Sequence, residues 1–159
     1  MPVIAKEVGW GFDEETARRL TDVGIAAIDV AGAGGTSWSQ VEMYRTKNQS
    51  QKRLAAAFVD WGIPTADAIQ RTRKGAPELP IFASGGLRTG MDIAKCIALG
   101  ATLGGMAGPF IKAAHQSLED TIGTIEEIVR ELQVCMFAAG VGDIASLQNT
   151  TLEPHPNQR

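Results

Sequence analysis

Short apolar runs alternate with amphipathic stretches along this 159-residue chain. Pro2 to Lys6 is an apolar run closed by a charge, which predicts a buried strand that delivers Lys6 to its C-terminal end. Gly9 and Gly11 make a turn. From Phe12 or Asp13 the pattern turns helical, with acids at 13, 14 and 15 and bases at 18 and 19, the order a helix dipole favours, as far as Gly24. Ile25 to Val30 predicts a second strand. The connection from Ser39 to Gly62 reads as partly helical, its polar portion Arg45 to Arg53 as a mobile surface excursion. Gly62-Ile63-Pro64-Thr65 stops the chain and opens a helix to about Arg73. Pro80 to Ala83 predicts a third strand and Thr89 to Leu99 a helix, with Ile93 and Ile97 on one face and an Asp92–Lys95 pair on another. Ala101 to Met106 predicts a fourth strand. Beyond Pro109 the chain reads as helical, with Ile122, Ile125, Ile128, Val129 and Leu132 on helical spacings. A short helix near Asp143 to Leu147 then precedes a polar tail.

Strand and helix thus alternate four times, with the glycine-rich loops at strand C-termini. That pattern predicts an α/β fold with a parallel sheet and right-handed crossovers. Four such units are half of a (β/α)8 barrel, whose usual length of ~250 residues exceeds this chain. An open doubly wound sheet is the rival. Residues 1–148 read as one domain and 149–159 as a polar tail, whose His155 sits between two prolines and reads as solvated.

Composition narrows the function classes. With 44% hydrophobic and 21% charged residues the chain is globular, and a net charge of −3 gives it no basic footprint for nucleic acid. Cys96 and Cys135 lack CxxC or Cys/His spacing, which points to buried free thiols in a reducing cytosol and no metal site. Neither a membrane-length apolar run nor a signal-peptide pattern occurs, so a cytoplasmic protein without membrane partners is expected. HxH, HExxH, GxSxG and P-loop patterns are missing, which removes common metalloenzyme, hydrolase and NTPase readings.

The candidate chemistry lies at strand ends. Asp29 to Trp38 reads Asp-Val-Ala-Gly-Ala-Gly-Gly-Thr-Ser-Trp, its glycines stripping side chains from the backbone before two hydroxyls and an indole. Gly85 and Gly86 offer bare amides before a helix, and Arg88 adds a charge able to bind phosphate bidentately; an ordinary tight turn with a surface arginine fits equally. Lys6 is placed either as a ligand contact or as a solvated strand end. Thr36 and Ser37 are placed to bind phosphate or cap a helix, and Trp38 to stack on a flat ligand or join the core. His115 reads as a surface or packing residue, and Glu42 with Arg45 as a helix ion pair.

Four stretches in order carry a resemblance: Lys6-Glu7-Val8-Gly9; the stretch Asp29 to Trp38; Asp60-Trp61-Gly62-Ile63-Pro64-Thr65; and Ala83-Ser84-Gly85-Gly86-Leu87-Arg88 with Asp92-Ile93-Ala94-Lys95. Together, from residue 2 to about 148, they resemble type 2 isopentenyl-diphosphate isomerase. The Ser-Gly-Gly-Leu-Arg element is shared across FMN-binding barrels, while the other runs are more specific. The resemblance implies a TIM-barrel flavoenzyme of isoprenoid synthesis that interconverts isopentenyl and dimethylallyl diphosphates with reduced FMN, NADPH as reductant and a divalent metal, magnesium. It implies Lys6 and Thr36 as FMN contacts, Gly86, Leu87 and Arg88 with Ala107 and Gly108 as the FMN phosphate cradle, and Trp38 as a pocket wall; it carries over no catalytic residue.

The resemblance covers only the family's C-terminal half, strands 5 to 8 plus the C-terminal helices, so an incomplete chain is expected. The family's metal-binding glutamate and proton-relay glutamine lie in the other half. Unpaired edges on four parallel strands predict a homo-oligomer, completion by an N-terminal half, or poor stability. Two other readings stand beside this one: a non-catalytic half-barrel that binds FMN or phosphate, and an FMN-dependent 2-hydroxy-acid oxidase. The oxidase needs a histidine base in the loop corresponding to Asp29 to Trp38, and residues 29 to 45 contain none.

Overall fold

The computed structural model describes residues 1–153. Four parallel strands, β1 (Ile4–Lys6), β2 (Ala27–Asp29), β3 (Ile81–Ala83) and β4 (Leu103–Gly104), pair in strict chain order. The register is Ile4 with Ala27, Ile28 with Ile81, and Phe82 with Leu103. A sheet that never reverses its strand order has no switch point, so right-handed crossovers place every helix on the same face. That excludes the doubly wound alternative and leaves an arc of a (β/α)8 barrel.

Helix α1 (Glu14–Asp22) follows β1. After β2 come α2 (Trp38–Arg45), α3 (Gln49–Ala56) and α4 (Thr65–Gly75). Helix α5 (Gly90–Ala98) joins β3 to β4, and α6 (Gly108–Gln116), α7 (Leu118–Ala138) and α8 (Ile144–Gln148) close the chain. The helix-side positions form the core. Ile28 packs with Ala17 and Ala76 beneath α1 and α4, while Val30, Ile81 and Ala83 pack with Ala68, Ile69 and Cys96 of α4 and α5. Ala94 and Ile97 meet Leu147 and Leu132 behind them.

The opposite, concave face is bare. Ile4 and Leu103, at the two edges of that face, are 52% and 43% exposed, whereas strands of a parallel sheet are ordinarily buried on both faces. At the N-terminal ends of the strands, the Arg73 guanidinium ties the loops down by donating to the carbonyls of Pro77 (2.7 Å), Leu79 (2.9 Å) and Gly100 (2.7 Å). Burial lowers its pKa.

Several expectations change. The strands are shorter than their apolar runs, because Val3, Ile25 and Met106 lie beyond the paired residues. Gln49 to Ala56 is a helix whose first amides are capped by Asn48 Oδ1 (Ser50 at 2.8 Å, Gln51 at 3.2 Å), so most of the polar excursion is regular structure. The helical region after Pro109 is two helices, broken at extended Ser117, whose hydroxyl caps α7 by accepting from the Asp120 amide at 2.9 Å. Asp92 does not pair with Lys95; it accepts from the Arg88 and Thr89 amides at 3.0 and 3.1 Å. Cys96 is buried as expected and Cys135 only partly. Glu42 and Arg45 form the expected ion pair at 3.5 Å. His115 is exposed in the last turn of α6, and His155 lies outside the described residues.

Candidate functional site

All the singled-out loops meet at one end of the sheet, where parallel α/β proteins hold their ligands. Each loop is fixed by backbone contact. Past β1, one Glu7 carboxylate oxygen gathers the amides of Gly9 (2.8 Å), Trp10 (2.5 Å) and Gly11 (3.1 Å) into a tight turn. The Trp38 indole donates to the Val8 carbonyl at 2.7 Å, which binds the Asp29–Trp38 loop to that turn and leaves the ring half exposed. Ser37 caps α2 through the Gln40 amide at 3.3 Å, and its hydroxyl donates to the Val59 carbonyl at 2.9 Å. Thr36 is exposed, and its hydroxyl has no partner among the described residues.

The Asp29–Trp38 loop lies between the N-terminus of α4 and the loop after β3. The Gly32 amide donates to the Ser84 carbonyl at 2.9 Å and the Ala33 amide to the Ile63 carbonyl at 2.8 Å. Thr65 Oγ1 donates to the Gly85 carbonyl at 2.6 Å. A Cβ on Gly85 would stand 2.2 Å from the Gly32 oxygen. Several of these glycines therefore let two loops touch backbone to backbone.

The helix N-termini beyond β3 and β4 differ sharply. At α5, Thr89 and Asp92 form a reciprocal capping box, and Glu131 accepts from the Gly90 amide. Burial pushes the Asp92 carboxyl up, but hydrogen bonds from the Arg88 amide and from Thr89 outweigh it and hold the group below its ordinary value. Ala107, at the head of α6, supplies no side-chain cap, and a Cβ on Gly108 would meet nothing within 4 Å. The amides of Gly86, Leu87 and Ala107 donate to no acceptor among the described residues. Uncapped amides at a helix start form an anion site. The Arg88 side chain is exposed, makes no ion pair among the described residues, and shares a cleft of about 530 Å3 with Pro109 and Lys112 and with the acids Asp120, Glu127 and Glu131 of α7. These donors suit a phosphate, with the Arg88 contribution limited to its guanidinium because its amide is already engaged.

At the β1 end, Lys6 Nζ donates to Asp29 Oδ2 at 2.5 Å and to Ser84 Oγ at 3.1 Å, and Ser84 Oγ donates to Asp29 Oδ1 at 2.5 Å. Lys6 is thus no free strand end. Asp29 and Ser84 were not singled out from the sequence as site residues; a carboxylate ending an apolar run beside a strand-end lysine is the signal available there. The structure therefore joins Lys6 to the Ser84–Arg88 loop and sets Arg88 beside the start of α6. Trp38 stands apart from both, against the turn after β1.

This half-barrel belongs to a known class. Residues 1–154 match the model of the FMN-dependent dehydrogenase family, and the chain belongs to that family. Among curated relatives it is similar to the isopentenyl-diphosphate delta-isomerase of Oceanobacillus iheyensis, with 51% identity over 94% of this chain and 43% of that protein. It is also similar to the enzyme of the same name from Stutzerimonas stutzeri, with 47% identity over 96% and 44%. The chain spans less than half the length of these relatives. Among solved structures, a lactate oxidase of Pediococcus acidilactici superposes with a TM-score of 0.70 at 25% identity, over 95% of this chain and 36% of that one. A mandelate oxidase superposes with a TM-score of 0.69 at 22% identity, over 96% and 38%, a likeness of fold. The resemblance to a C-terminal isomerase half and the partial TIM-barrel fold both hold.

Proposed function

We propose that this chain is the cofactor-phosphate half of an FMN-dependent isopentenyl-diphosphate isomerase, acting on isopentenyl and dimethylallyl diphosphates. The observation that carries the reading is the 51% identity to a protein of that name across 94% of the chain. In this reading the amides of Gly86, Leu87, Ala107 and Gly108 donate to the FMN phosphate, and Arg88 balances its charge. Lys6 donates to the cofactor from the end of β1, the Thr36 hydroxyl is a further contact, and the Trp38 ring walls the substrate pocket. Bound FMN, reduced by NADPH, supplies the proton transfers of an allylic shift without net redox change. Magnesium is expected to serve the substrate diphosphate. Among the described residues no cluster of three or more His, Cys, Asp or Glu could hold a metal.

The bare concave face supports a second element of the reading: the barrel is completed by an N-terminal half or by another copy of this chain. Without completion the chain is a non-catalytic FMN binder. No helix among the described residues is long and apolar enough to cross a membrane, and a cytoplasmic enzyme is the location proposed.

The test combines purified chain, FMN, NADPH and magnesium in a diphosphate isomerisation assay, with and without the separately produced N-terminal half of an isomerase relative. Turnover is expected only in the mixture. Turnover by the chain alone would refute the need for completion. A folded mixture that binds FMN yet leaves isopentenyl diphosphate untouched would refute the isomerase reading, and oxidation of lactate or mandelate would favour the oxidase.

A further inference from the structure

The Lys6–Asp29 contact is unlike the other ion pairs among the described residues. Those join side chains three or four positions apart on one helix surface, whereas this one links two strands. Its acid is 15% exposed and its base 58%. An exposed lysine would otherwise sample many rotamers, because holding a long side chain in one geometry costs entropy. Here three groups from three strand ends hold one another. Asp29 Oδ2 accepts from Lys6, Oδ1 accepts from Ser84, and the Lys6–Ser84 contact closes the triangle. Asp29 Oδ1 also accepts from the Ala31 amide at 3.2 Å, which steadies the start of the glycine loop where Ala31 takes a φ of +35°.

We propose that Asp29 is a positioning residue for the cofactor: it fixes the Lys6 ammonium and balances its charge, so that bound flavin meets a paired lysine instead of a free cation. The proposal rests on the FMN reading above. Backbone pairing already joins β1 to β2, so the carboxylate is not needed to hold the strands together. Its consequence is electrostatic. A reduced flavin carries more negative charge than an oxidised one, so removing the carboxylate while keeping the lysine should favour the reduced form.

The test compares wild type with Asp29→Asn, each checked for folding by a thermal melt. In the FMN-free chain, limited amine acylation read by mass spectrometry should proceed about fivefold faster at Lys6, the scale of a partly exposed pair, with Lys47 and Lys52 unchanged. In the FMN-loaded chain, preference for reduced over oxidised FMN should rise about tenfold, roughly 30 mV for a two-electron couple. A merely structural role for Asp29 would leave that preference unmoved. If Asp29→Asn does not fold, Ser84→Ala removes a hydroxyl shared by both partners and should raise Lys6 reactivity by a smaller factor. Unchanged Lys6 reactivity in the folded variants overturns the positioning role. If wild type binds no FMN, the cofactor reading and the charge-balancing role fall together, while Lys6 acylation still decides whether Asp29 fixes the ammonium.

Discussion

A Cβ added to Gly86 would stand 2.1 Å from the carbonyl oxygen of Gly34, 52 positions earlier in the chain and on the facing loop. Gly86 also has a φ of +87°, which side-chain-bearing residues rarely adopt. Gly86→Ala is therefore expected to strain the backbone by roughly 1–3 kcal/mol and to push the two loops apart. Gly108→Ala, which meets open space, should stay within about 0.5 kcal/mol of wild type. Thermal melts of both variants check this. Equal melting temperatures would show that the loops tolerate separation.

Arg88 carries a prediction about affinity alone. Its side chain is exposed and outside any ion pair among the described residues. Arg88→Ala should leave the melt unchanged but weaken FMN by roughly 1.5–3 kcal/mol, about one to two orders of magnitude in Kd. Fluorescence titration of FMN reads the difference, and an unchanged Kd would return Arg88 to the surface.

The cap of α5 makes stability depend on acid. Asp92 is held below its ordinary pKa, so its contribution is present above the unfolded value, near 4, and is lost as pH falls through the lower folded value. Urea melts of wild type should weaken across that window, and those of Asp92→Asn should weaken less. Thr89→Ala should cost about 1 kcal/mol at neutral pH. A variant with the same acid limb as wild type would contradict the role given to Asp92.

Much of this was legible in the chain. The four βα units, the order of the loops and the absence of a histidine base in residues 29–45 follow from apolar spacing and residue identity. The Asp29–Ser84 link joins positions 55 apart, so no local pattern announces it. Asp92 sits three positions from Lys95 and reads as half of an ion pair, yet amides at the helix start compete for the same carboxylate and win. Residues 45–53 are polar enough to read as a surface excursion, yet Asn48 caps a helix that begins at Gln49. The apolar runs are longer than the strands because apolar residues at strand ends pack into the core without joining the ladder, as Ile25 and Met106 do.

Thiol chemistry should separate the two cysteines. Burial pushes the Cys96 thiol up to about 11, with the Asp92 charge adding to the effect, whereas Cys135 is only partly buried. Near pH 8 an alkylating reagent should label Cys135 first and reach Cys96 only on unfolding. The neutral thiol stabilises the fold below the unfolded value near 9, and that stability is lost as pH rises toward 11. Equal labelling rates in the folded chain would place Cys96 outside the core.

The phosphate cradle is tested most directly by titrating the purified chain with FMN and, separately, with riboflavin, which lacks the phosphate. Several charge-assisted hydrogen bonds from Arg88 and the amides of Gly86, Leu87, Ala107 and Gly108 predict that FMN binds at least about a hundredfold more tightly than riboflavin. Equal affinity for the two, or no FMN bound by a folded chain at saturating concentration, would contradict the cradle.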